Sequence, residues 1–153
     1  MDGCLKLNLM GRYALSAAVF LTWKFKNQSG ETNYFPLSAL ARAQRIPKPF
    51  LAQIVQVLVK AGLLCSKKGI HGGVTLSRDP NDITLLELME TCEGSYSRSS
   101  CIYYPWKVCA GKECLLFCPL RSEEEILKNR LGKITLRELA CSLENHPERI
   151  GNS

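Results

Sequence analysis

The sequence predicts a mainly α fold with one small β-hairpin. Three observations carry that expectation. Apolar residues recur at three- and four-residue steps from Leu9 to Phe25 and again from Leu51 to Leu58. Two short strand-like stretches flank a basic, glycine-rich tip at Lys68–Gly73. Helical patterning then resumes near the C-terminus, after a stretch from 95 to 118 that shows neither period. With 153 residues and 46% hydrophobic content, the chain can bury one modest core. It reads as neither a disordered chain nor a disulfide miniprotein. No apolar run approaches the roughly 18–20 residues of a membrane span. The early apolar stretch Tyr13–Trp23 is interrupted by Ser16 and lacks a cleavage pattern, so no signal peptide is read. A cytoplasmic chain without a membrane partner is expected.

Taken in order, Leu9, Tyr13, Ala17, Phe20 and Leu21 define the first helix, ended by the turn cluster Asn27-Gln28-Ser29-Gly30. Pro36 opens a short second helix through Ala43, and Gln44-Arg45-Ile46-Pro47 forms a turn. The third helix follows to about Ala61, with Pro47 and Pro49 where helix starts tolerate proline. Leu51, Ile54, Val55 and Leu58 face inward, Gln53, Gln56 and Lys60 face outward, and Gly62 is placed to cap the end. Leu63–Lys67 and Val74–Ser77 make the hairpin. A fourth helix begins at Asp82 or Thr84, reaches Cys92 and ends near Gly94. A charged helix runs from about Leu120 to Leu131, with Glu123, Glu124 and Glu125 early and Lys128 and Arg130 late, matching the helix dipole. The last helix spans Thr135 to Leu143, before a polar tail expected to be mobile.

Helix, short helix, turn, helix and basic hairpin is the plan of a winged helix-turn-helix, here joined to a long helix suited to dimerisation. The expected division is a DNA-binding domain at 1–80, a cysteine-bearing loop with the dimerisation helix at 81–144, and a tail at 145–153. Charge supports it. Residues 1–80 carry eleven Lys/Arg against three acidic residues, whereas the remainder is net acidic. A polyanion partner for the first half explains that asymmetry. The N-terminal residues of the third helix would meet base edges: Lys48, Pro49, Ala52, Gln53 and Gln56. Lys67, Lys68 and His71 would form a flexible cationic tip for the minor groove, and Arg12 joins the candidate DNA contacts. Read singly, Gln53 and Gln56 are equally well solvent-facing residues, and His71 a packing or phosphate-binding loop residue.

Eight cysteines are many for a chain in a reducing compartment and point to metal or redox chemistry. Cys101, Cys109, Cys114 and Cys118 fall within 18 residues, on a stretch containing Pro105 and Gly111. Cys65, Cys92 and Cys141 sit among apolar residues and read as small core hydrophobes, while Cys4 is unassigned.

Several motifs then resemble one family. Met10-Gly11-Arg12-Tyr13-Ala14-Leu15 is similar to the "KGRYAL" opening of Rrf2-type regulators. Ala39-Leu40-Ala41, followed by Ile46 through Ile54, resembles their "IA…IS..YLEQL" segment. Lys60–Leu64 with Lys68–Gly73 resembles "KAGLV…RGPGGGY", and Ile83-Thr84 and Ile134-Thr135 match two "IT…" segments. The likeness runs from about residue 5 to 142 and implies a homodimeric winged-helix regulator on double-stranded, pseudopalindromic operator DNA. Ala52 stands where the family usually has Glu, and Ile70-His71 replaces a Pro-Gly of the wing.

Sensing members of that family hold a [2Fe–2S] or [4Fe–4S] cluster on three cysteines and a weaker fourth ligand. By its distance to Ile134-Thr135-Leu136, Cys114 takes the place of the family's third cysteine, so the resemblance implies Cys101 and Cys109 as the first two, with Cys118 close to where some members supply a His as fourth ligand. Alternatively, Cys118-Pro119-Leu120 resembles the "CPL" that marks the third cysteine, leaving Cys101 spare. Where other members supply an Asp from the first helix, this chain has Arg12. Other readings of the four thiols stay open: a zinc site, a thiol–disulfide switch, or buried bystanders. A small iron–sulfur redox enzyme and a protein-interaction module are the rival classes. The sequence has no P-loop, dinucleotide fingerprint or Ser/His/Asp pattern for the enzyme.

Overall fold

Small residues on one side of the first helix decide how closely its neighbours approach. In α1 (Leu9–Phe25), Gly11, Ala14, Ala17 and Ala18 are buried together with Leu21, so other helices can pack against its backbone. The buried Thr22 hydroxyl donates to the Ala18 carbonyl at 2.9 Å, which satisfies the polar group inside the core. The protein is described by a computed structural model covering residues 7–25, 34–94 and 117–144. The expected turn at 27–30, the tail at 145–153 and Cys101, Cys109 and Cys114 lie outside these residues.

The further elements are α2 (Leu37–Ala43), α3 (Lys48–Lys60), β1 (Leu64–Lys67), β2 (Gly73–Leu76), α4 (Leu85–Glu93), α5 (Phe117–Leu131) and α6 (Leu136–Glu144). Helix α1 runs through the middle of the core, against α3, α4 and α6. Leu51, Ile54 and Leu58 of α3 are fully buried, as the sequence pattern predicts. Each stabilises the fold by about 2 kcal/mol. Gly62 takes φ +73 after the helix end, a conformation that costs glycine little. A second apolar cluster joins Leu85 and Met89 of α4 to Leu131 of α5.

The hairpin pairs antiparallel, with Leu64 opposite Leu76 and Lys67 opposite Gly73. It is tied to the helix-turn-helix by a bridge between Phe35 and Val74, whose two backbone bonds are both 2.9 Å. A Cβ on Gly73 would lie 2.2 Å from the Phe35 carbonyl oxygen, so only glycine permits this approach. A matching bridge pairs Thr84 with Thr135, through Leu85 N–H to Ile134 and Leu136 N–H to Ile83.

Two expectations need correction. Helix α5 starts at Phe117, three residues earlier than the pattern indicates, so Cys118 belongs to its first turn. Pro119 there is the third helical residue, where the missing N–H would have had no intrahelical acceptor. Cys65 is exposed rather than packed, because strand alternation puts Leu64 inward and Cys65 outward.

Candidate nucleic-acid interface

The first half of α3 and the hairpin form the two walls of one cleft of about 500 Å³. Lys48, Ala52 and Gln56 line the helix side, and Ser66, Lys67 and Ile70 line the hairpin side. Four of the sequence candidates therefore share one cleft. Pro49 and Gln53 are exposed on α3, and Lys68 and His71 are exposed on the wing, but these four are not among its lining residues. Ser38, at the start of α2, also lines it. Sequence reasoning passed over Ser38 and Ser66, since an isolated serine carries no periodic signal.

The cationic groups have different settings. Lys67 Nζ lies 5.9 Å from the centre of the Tyr34 ring, a cation–π contact that holds the side chain near the cleft mouth. Lys48 sits at the first position of α3, with no acidic residue in that turn to neutralise it. Arg78, by contrast, is paired with Glu87.

The wing tip forms a hydrogen-bonded turn. Gly72 N–H donates to the Gly69 carbonyl at 3.0 Å, which leaves Ile70 and His71 as the central residues. Gly69 has φ +112, and a Cβ on Gly72 would lie 2.2 Å from the Lys67 carbonyl oxygen. Both glycines are demanded by the turn.

Arg12 stands apart, exposed on the first turn of α1. That turn is fixed by two side chains. Asn8 Oδ1 accepts from Gly11 N–H, and Glu93 Oε1 accepts from Asn8 N–H, each at 2.7 Å. Glu93 ends α4, so the start of α1 is fastened to the last helical residue before the cysteine-bearing stretch. Beside it, Cys92 is half-buried, and burial with the Glu93 charge pushes its thiol up to about 11. Cys65, Cys92 and Cys141 form no disulfide. Among the described residues no group of three or more His, Cys, Asp or Glu could hold a metal.

A helix-turn-helix whose hairpin is bridged to the segment before α2 defines the winged-helix class of DNA-binding proteins. The chain belongs to the Rrf2 family, whose model, described as an iron-dependent transcriptional regulator, matches residues 7–142. It is a DNA-binding transcriptional regulator and not an enzyme, like its relatives. The regulator IscR of Xenorhabdus nematophila is 30% identical over 141 residues, spanning 92% of this chain and 82% of that protein. CymR of Bacillus subtilis is 28% identical over 149 residues, spanning 94% and 96%. The solved structure of B. subtilis CymR, that organism's global cysteine regulator, superposes with a TM-score of 0.71 at 27% identity. That match covers 90% of this chain and 98% of the other. IscR of T. potens shares the fold, with a TM-score of 0.70 at 23% identity over 98% and 95% of the two chains. No helix among the described residues is long and apolar enough to cross a membrane.

Proposed function

We propose that this regulator acts as a cytoplasmic homodimer on double-stranded operator DNA, under the control of an iron–sulfur cluster. Cys101, Cys109, Cys114 and Cys118 would hold the cluster. The observation that carries the proposal is the place of Cys118 in the first turn of α5. It closes an 18-residue run of four thiols. The donor set fits: four soft thiolates suit a [2Fe–2S] or [4Fe–4S] group. Such a group supplies a link between the four backbone points that responds to redox state and to small reactive ligands.

The chain's own residues carry the response onward. Leu127 and Leu131 of α5 pack with Leu85 and Met89 of α4, and α4 packs against both α1 and α3. Close-packed side chains transmit a shift of α5 without slack, so the spacing of two α3 helices in a dimer would change. Ile126 of α5 is large, apolar and 46% exposed, as expected of a residue that a second copy covers. In the cleft, Lys48 and Lys67 would meet phosphates, while Gln56 and Ala52, together with Gln53 and Pro49 on α3 outside the cleft, would face base edges. Lys68, His71 and Arg12 would complete the contact.

A second reading draws on the likeness to CymR: the same four thiols would form a thiol–disulfide switch without metal. Zinc is the third occupant of this donor set. Anaerobic purification, visible absorption, and iron, sulfide and zinc analysis separate the three. The cluster reading expects iron and sulfide in near-equal amounts, with colour lost in Cys109→Ser and Cys114→Ser. Full absorbance in both variants would refute that ligand set. Colourless protein with stoichiometric zinc, or with a disulfide found by mass spectrometry, would replace it.

A further inference from the structure

Ile70 is 98% exposed, the most solvent-covered of the large apolar side chains described. An isolated exposed isoleucine ordinarily calls for no explanation. This one differs in its support and its surroundings. It occupies a central position of the closed Gly69–Gly72 turn, whose backbone bond is 3.0 Å. It therefore stands at the apex of the wing, in a hydrogen-bonded turn. Lys67 and Lys68 precede it and His71 follows it. It also lines the cleft opposite Lys48 and Gln56, so it faces whatever α3 faces.

The geometry points to Ile70 as an apolar wedge that enters the minor groove beside the α3 contact and opens one base step, bending the operator. This rests on the DNA reading of the cleft given above. The chemistry favours DNA over a protein surface. An apolar tip ringed by two lysines needs a partner with anionic walls and an apolar floor. A minor groove offers phosphates on both sides and stacked base faces between them. Isoleucine is stiff at χ1, so little conformational freedom is lost when it is inserted. Pyrimidine–purine steps, which unstack most readily, are the expected sites.

The test uses the full chain purified without oxygen, and a duplex of about 30 base pairs enriched by the wild-type protein from a random pool. Dyes at the two ends report bending, and 2-aminopurine at each pyrimidine–purine step reports unstacking. Wild type should shorten the end-to-end distance and raise the fluorescence at one step per half-site. Ile70→Ala should abolish both signals and weaken binding roughly tenfold, with an unchanged melting temperature, whereas Ile70→Leu should retain both. Equal bending and affinity in Ile70→Ala would overturn the wedge and leave the DNA reading intact. Failure of wild type to enrich any duplex would overturn both.

Discussion

The helices that face the cleft and the helices that build the scaffold begin in different ways. Helices α2 and α3 start after Pro36 and Pro47, with no side-chain cap and no acidic residue in the first turn. Helices α1, α4 and α6 start after Asn8, Thr84 and Thr135, each of which accepts a backbone N–H of its own first turn. In α6 the arrangement is reciprocal, because Glu138 also accepts from Thr135 N–H at 3.0 Å. Helices α1, α4 and α6 cap their own first turns, while α2 and α3 have neither a side-chain cap nor a first-turn acid. Stability and recognition are thus carried by separate residues, and each can be disturbed alone.

The sharpest way to break that separation is at Gly73, which serves both sides. Gly73→Ala puts a Cβ against the Phe35 carbonyl and should cost about 2–3 kcal/mol while detaching the wing. Thermal denaturation and operator binding should fail together. Thr135→Ala removes a scaffold cap and should cost about 1 kcal/mol, lowering the melting temperature by a few degrees. Its operator affinity at a temperature well below melting should match wild type. Lys67→Ala should do the reverse. The melting temperature stays put, and the slope of log affinity against log salt falls by about one unit.

How much of this was legible follows from where the signals lie. Helix α3 could be bounded because an apolar period, two prolines and Gly62 agree within a single stretch. The start of α5 was misread because Pro119 breaks helices in the interior but not in the first turn. Cys65 was misread because side-chain type says less than strand alternation about which face is buried. The Glu93–Asn8 bond spans 85 positions, and no local pattern announces it. The cleft lysines were visible through charge, but their convergence depends on the Phe35–Val74 bridge, which is again long-range. For the four clustered cysteines, spacing names the donors and leaves the metal open, since zinc and iron–sulfur groups accept the same thiolates.

The smallest effect contrasts two thiols. Cys92 releases its proton only at about 11, because burial and Glu93 disfavour the thiolate. A thiol raised in the folded state favours folding fully below its unfolded value. That contribution is lost as pH rises from there through the folded value, so Cys92→Ala should flatten the alkaline end of a stability–pH curve. Peptide mapping after iodoacetamide treatment at pH 8 should find exposed Cys65 labelled well before Cys92.

The Thr84–Thr135 bridge has a consequence for how the cysteine-bearing stretch can vary. Between the two sides of that bridge lie α4, the cysteine-bearing stretch and α5. In polymer terms the excursion is a ring whose closure is fixed by four backbone groups outside the cysteine-bearing stretch. Closure entropy grows only with the logarithm of ring size, about 0.6 kcal/mol per doubling. By that measure, a longer or shorter ring changes the closure cost of the bridge little. The bridge thus joins Thr84 and Thr135 by bonds that involve none of the thiols.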